Sequence, residues 1–182
     1  MELAMQIRRG LMFIEGGYDA CLAGRGLVAY TCARAIYETF ACVMDFCDKL
    51  TDQIAEGDFE KTCAFIHTRQ FAARMKGFLS KEVIVKEVID NTAVNILTQI
   101  DRVSKHFPGF REDYDDLSEM THPNGRGAMG YFWETGDDII KFSNGVDQAK
   151  VMRSLVKAGY LLAQMEHGMT FMETKLANLP WH

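Results

Sequence analysis

The sequence predicts an all-α fold: a bundle of five to seven helices with a small β-hairpin insertion near residues 128–142. Two observations carry this. Only three prolines occur, Pro108, Pro123 and Pro180, so the first 107 residues lack the strongest helix breaker. Apolar residues also recur at steps of three and four over long stretches, the period of one helical face.

Residues 2–21 read as a first helix, weakened by Gly10, Gly16 and Gly17. Between 26 and 54, Ala29, Cys32, Ala33, Ile36, Phe40, Val43 and Cys47 trace one apolar face. Gly57 breaks that helix and Asp58 is placed to cap the next, over 58–79. The run 81–90 combines β-branched residues with Glu and Lys and reads as a short helix. A further helix spans 92–106, with Val94, Leu97, Ile100 and Val103 on its apolar side. After Pro108-Gly109 a short helix covers 111–121. The segment 122–146 is irregular, with strands at 128–133 and 138–142 flanking a turn at 134–137. A last helix over about 147–177 carries Val151, Leu155, Ala158, Leu162, Met165, Met169, Met172 and Leu176. Its period of 3.5 describes a straight seam, serving either the bundle core or a dimer contact.

All of this fits one helical domain over 1–182. The chain is 48% hydrophobic and 25% charged, which excludes long disorder and collagen. With 20 Lys and Arg against 25 Asp and Glu, the net charge of −5 excludes a general nucleic-acid footprint and leaves only a local basic patch for RNA. The five cysteines, Cys21, Cys32, Cys42, Cys47 and Cys63, are odd in number and form no C-x-x-C pair, so they read as small buried hydrophobes of a reducing cytoplasm. The first residues lack the continuous apolar run of a signal peptide, and no apolar run approaches the roughly 20 residues that span a bilayer. The expectation is a cytoplasmic protein with no membrane partner.

Chemistry concentrates between Tyr114 and Asn124. Tyr114, Ser118 and His122 are spaced by four and so share one side of a helix. Pro123 disfavours the α conformation at His122 and ends the helix there, at the end that favours cations. His122 then serves as an acid or base, or simply closes the helix. Glu119 and His122 have the Glu-x-x-His spacing of di-iron bundles, yet the motif occurs once where such sites need two. On the second helix, Thr31, Arg34, Glu38 and Asp45 form a polar stripe among apolar neighbours. A buried Arg requires its carboxylate, so Arg34 and Glu38 are expected to share an internal polar pocket with Ser118 and His122. No nucleophile elbow, P-loop or dinucleotide fingerprint occurs, and no cofactor is implied.

The run Asn95-Ile-Leu-Thr-Gln-Ile-Asp101, followed by Tyr114-Asp-Asp-Leu-Ser-Glu-Met-Thr-His-Pro-Asn124, resembles a widespread uncharacterised bacterial family with the pattern Y-x-x-L-S-E-x-x-H-P-N. An upstream R-x-x-x-E helix is matched by Arg34 and Glu38, and the resemblance covers about residues 25–145. That family is similar to HEPN-like helical bundles, many of them small dimers of toxin–antitoxin and phage-defence systems, a link made at the level of fold. The resemblance implies a homodimer through a helical face and a pocket of Arg34, Glu38, Tyr114, Ser118, Glu119, His122 and Asn124. It departs from active HEPN ribonucleases, in which four to six residues separate an Arg from the His: no histidine here has such an Arg upstream, and Arg102 precedes His106 with only three residues between.

Three functional readings follow. The first is a non-catalytic or weakly catalytic accessory domain that binds a protein partner or a small anionic ligand in defence or stress regulation, with Arg34 supplying the anion contact, Glu38 orienting it, and Ser118, His122 and Asn124 completing the hydrogen bonding. The second is a metal-independent ribonuclease in which His122 is the acid or base, Arg34 stabilises phosphate charge and Ser118 assists. The third is a metal-binding bundle through Glu119 and His122.

Overall fold

The computed structural model describes residues 2–70, 94–123, 127, 133–136, 139–142 and 147–177. The whole stretch 71–93, with the expected helix at 81–90 and the end of the one expected over 58–79, and Asn124 lie outside the described residues. Six helices occur among them: α1 (Glu2–Leu22), α2 (Gly26–Glu56), α3 (Phe59–Gln70), α4 (Ile96–Val103), α5 (Phe110–Thr121) and α6 (Gln148–Ala177). The architecture is helical, as the proline distribution and apolar period predict.

α2 is the axis of the structure and touches every other helix, while α1 and α6 also pack on each other. Its apolar face is buried at Ala29, Ala33, Ile36, Phe40, Val43, Cys47 and Leu50. The helix ends at Gly57, whose left-handed φ of 72° lets its N–H reach the Ile54 carbonyl. Asp58 then caps α3, accepting from the Lys61 N–H at 3.0 Å. These amide hydrogen bonds, before the Lys61 ammonium, hold the Asp58 carboxyl below its ordinary range.

α1 corrects the reading of its glycines. A Cβ at Gly10 would overlap Leu162 of α6, and one at Gly17 would lie 2.7 Å from Leu155 Cδ2. These glycines bring α1 close to α6, so their helix-weakening cost is offset by packing. Only Gly16 faces open space.

α4 is shorter than expected because Asn95 caps it, its side chain accepting from the Leu97 N–H. Its buried face is Gln99, Ile100 and Val103, whereas Leu97 is 44% exposed. The expected apolar side was therefore wrong at Leu97.

In α6 the seam from Val151 to Met172 is buried within the chain itself. It serves the bundle core, and the alternative of a dimer contact along that seam falls away. The Leu176 side chain lies outside the described residues.

Trp133–Gly136 (β1) and Ile139–Phe142 (β2) pair antiparallel, with Trp133 opposite Phe142 and Gly136 opposite Ile139. Glu134, Thr135 and Gly136, expected in the turn, lie in β1. Residues 128–132 of the expected first strand lie outside the described residues.

Two further expectations change. Cys21 and Cys47 are buried, but Cys32 and Cys42 are only partly so and Cys63 is exposed. α2 contains an 18-residue window of mean hydropathy 1.2, long and apolar enough to cross a membrane by length and composition alone, and half of that window is buried inside the protein, as in a core helix.

Candidate functional site

Arg34 lies in the third turn of α2 and faces α5. Its Nε donates to Glu38 Oε1 at 3.1 Å, one turn on, where the i to i+4 spacing places a partner. Nη1 donates to Thr121 Oγ1 at 3.1 Å and Nη2 to the Tyr114 hydroxyl at 3.4 Å. Tyr114 in turn donates to Glu38 Oε1 at 3.1 Å, and its ring centroid is 5.6 Å from the guanidinium carbon. All three guanidinium nitrogens are thus engaged by the protein's own groups. Desolvation works against the Arg34 charge, but the Tyr114 hydrogen bond and the Glu38 carboxylate outweigh it and push the guanidinium pKa up.

The Arg34 and Glu38 side chains are 27% and 29% exposed, and Tyr114 beneath them is buried. The cluster is a half-buried tie between α2 and α5, with its charges matched internally.

The structure joins Arg34 and Glu38 to Tyr114, which the resemblance placed with them, and to Thr121, which the sequence reading missed, whereas the Ser118 and His122 side chains, expected in that pocket, make none of these bonds. Helix geometry explains the addition. At about 100° per residue, a residue seven positions after Tyr114 falls about 20° from it around the helix, while one eight positions on falls about 80° away. Thr121, rather than His122, therefore sits above Tyr114. Its hydroxyl donates back to the Leu117 carbonyl at 2.9 Å, with the Ser118 carbonyl at 3.1 Å, which leaves its lone pairs to Arg34.

Ser118 is half-buried, and its carbonyl accepts from the His122 N–H at 2.9 Å. His122 is exposed and extended (φ −75°, ψ 143°), as a residue before proline should be. Gly127 returns to this helix end, where a Cβ would overlap the His122 carbonyl oxygen. Glu119 is exposed, and no group of three or more metal-ligating side chains gathers among the described residues.

A second polar tie joins α2 to α4. Asp45 is 2% exposed, accepts from Arg102 Nη1 at 2.9 Å, and has Lys49 Nζ at 3.9 Å. The remaining residue of the polar stripe, Thr31, bonds only to its own helix, at the Leu27 carbonyl.

A cavity of about 250 Å³ opens between α2, α5 and α6. Tyr30 and Tyr37 of α2 line it, with Asp113 and Asp116 of α5 and Lys150, Arg153, Ser154 and Lys157 of α6. Asp113 ties all three helices, accepting from the Tyr37 hydroxyl at 3.2 Å and from Lys157 Nζ at 2.6 Å. Burial, then the Asp113 charge, pushes the Tyr37 phenol above its ordinary range. Burial, aided by Asp147, raises the Tyr30 phenol to about 12. The cavity was not anticipated. Its signal was the spacing 150, 153, 154, 157, a polar stripe beside the apolar seam of α6.

No family model, curated protein or solved structure matches this chain.

Proposed function

We propose that this chain is a non-catalytic helical-bundle domain of HEPN-like type, which binds a small anionic ligand or a protein partner in defence or stress regulation. The observation that carries the reading is the engagement of Arg34 Nε, Nη1 and Nη2 by Glu38, Thr121 and Tyr114. A catalytic guanidinium needs donors aimed at charge that develops on the substrate. Here three of its five N–H groups already point at the protein, and Glu38 matches the charge. The cluster then holds α5 in place, and ligand recognition falls to other surfaces.

A second reading keeps one specific observation in its favour. Thr121, which Arg34 holds, is the neighbour of His122, so an anion at the end of α5 could meet both the imidazole and the remaining guanidinium protons. That reading makes the protein a metal-independent ribonuclease.

An RNA-cleavage and growth-toxicity assay of wild type against His122→Ala separates the two. The binding-domain reading expects no His122-dependent cleavage or toxicity, and cleavage lost in His122→Ala overturns it. A homodimer, if formed, uses a face other than the buried α6 seam. Val156 and Tyr160, one turn apart on the exposed side of α6, supply one.

A further inference from the structure

The cavity between α2, α5 and α6 is built from two helical stripes with the same spacing. α6 contributes Lys150, Arg153, Ser154 and Lys157, and α5 contributes Asp113, Asp116, Leu117 and Met120. Both run i, i+3, i+4, i+7, the pattern that keeps side chains on one side of a helix. The wall on α6 is therefore positive and the wall on α5 negative at one end and apolar at the other. Lys150, Arg153 and Lys157 face Asp113 and Asp116, and Asp147 stands beside Arg153, so the cavity gathers both charges in equal number.

These charges are not all committed to each other. Lys157 is held by Asp113 at 2.6 Å, which closes one end of the cavity. Arg153 reaches Asp147 only at 4.0 Å, and Lys150 forms no ion pair with a described residue. The N-terminus of α6 is not the attraction, because Asp147 already caps it by accepting from the Lys150 N–H at 3.0 Å. The Ser154 hydroxyl donates to the Lys150 carbonyl over a long 3.3 Å and is well placed to turn toward a ligand.

We propose that this cavity binds a small zwitterion, with a phosphate or carboxylate held by Lys150, Arg153 and Ser154 and an ammonium directed at Asp116. An Arg fork beside an ammonium suits an oxyanion head. Asp116 turns away a second anionic group and favours a cationic tail. The volume of about 250 Å³ lies below the roughly 300–1,000 Å³ of pockets for drug-sized ligands and suits a small metabolite. The inference deepens the reading of the chain as an anion-binding domain, and its test is independent of the cleavage assay.

The test is calorimetric titration of the full chain at low ionic strength with phosphoethanolamine, β-alanine, inorganic phosphate and ethanolamine. At least one of the two zwitterions should bind about tenfold tighter than either phosphate or ethanolamine, the factor expected of one added charge-assisted contact. Lys150→Ala with Arg153→Ala should lower that affinity by about tenfold or more. Asp116→Asn should erase the advantage over phosphate while leaving phosphate bound. Equal affinity for phosphate and both zwitterions, unchanged in Asp116→Asn, would overturn the zwitterion assignment and leave the anion-binding reading standing. Absence of binding by all four probes, with the variants folded by circular dichroism, would overturn the cavity as a site. The better of the two zwitterions identifies the head group.

Discussion

Arg34 in the third turn of α2 donates to Thr121 in the last turn of α5, two residues 87 positions apart in the chain and 3.1 Å apart in space. The bond places the end of α5, and so His122, relative to the central helix. Hydrogen bonds to charged groups contribute about 1.5–3 kcal/mol in favourable settings, and this one is partly solvated. Arg34→Ala is expected to lower stability by about 1–2 kcal/mol in urea denaturation. Arg34→Lys should recover only part of the loss, since an ammonium cannot span the three acceptors that the guanidinium fork reaches.

The glycines of α1 give opposite predictions at neighbouring positions. Gly16→Ala adds a methyl group in open space and should stabilise the protein by about 0.5–1 kcal/mol through helix propensity. Gly17→Ala drives a methyl group against Leu155 and Cys32 and should destabilise it by about 1–3 kcal/mol. Thermal melts of the two variants check both signs. A matching gain at position 17 would show that α1 does not sit against α6 as described.

Asp45 is the most deeply buried carboxylate of the α2 polar stripe, and Arg102 is its 2.9 Å partner. Asp45→Asn keeps the volume but removes the charge, and should cost about 1–2 kcal/mol because the buried Asp45 end loses a charge-assisted bond while Arg102, 40% exposed, keeps part of its hydration. Equilibrium unfolding of Asp45→Asn beside Arg102→Ala measures this. The double variant should lose less than the sum of the two single losses.

Burial pushes the Tyr30 phenol to about 12 from an ordinary value of 10. A group whose folded pKa is raised binds its proton more tightly when folded, so its contribution is complete below pH 10 and is lost as the pH rises toward 12. Spectrophotometric titration of wild type and Tyr30→Phe should differ by one phenolate step near pH 12. A missing step near pH 10 would place the phenol in solvent instead.

Burial likewise raises the Cys47 thiol to about 11, with Asp48 adding to the effect. Cys63 is exposed. Alkylation at mildly alkaline pH should modify Cys63 within the folded protein and Cys47 only after unfolding, which mass spectrometry of partly labelled chains resolves.

The helices were legible because their signals are local. The run from Ala29 to Cys47 repeats every three or four residues, and Gly57 with Asp58 supplies both a stop and a start. What escaped was set by tertiary packing. Gly10 and Gly17 read as weak points until Leu162 and Leu155 are seen against them. Leu97 fits an apolar period, yet the approach of α4 to α2 buries Gln99 in its place.

The site was legible in part for the same reason. Arg34 and Glu38 are a local pair, and their partner Tyr114 stood out in a polar cluster. Thr121 was hidden by a four-residue spacing rule that drifts around the helix over two turns. The cavity needed the mutual placement of α2, α5 and α6, which no single stretch encodes.

Whether Arg34 serves the fold is tested most directly by a double-mutant cycle in urea denaturation, with Arg34→Ala and Tyr114→Phe alone and combined. A structural tie predicts that the two losses couple by about 0.5–1.5 kcal/mol, the usual size for residues in one hydrogen-bond network. A coupling near zero, with Arg34→Ala as stable as wild type, would contradict that role and return Arg34 to the ligand.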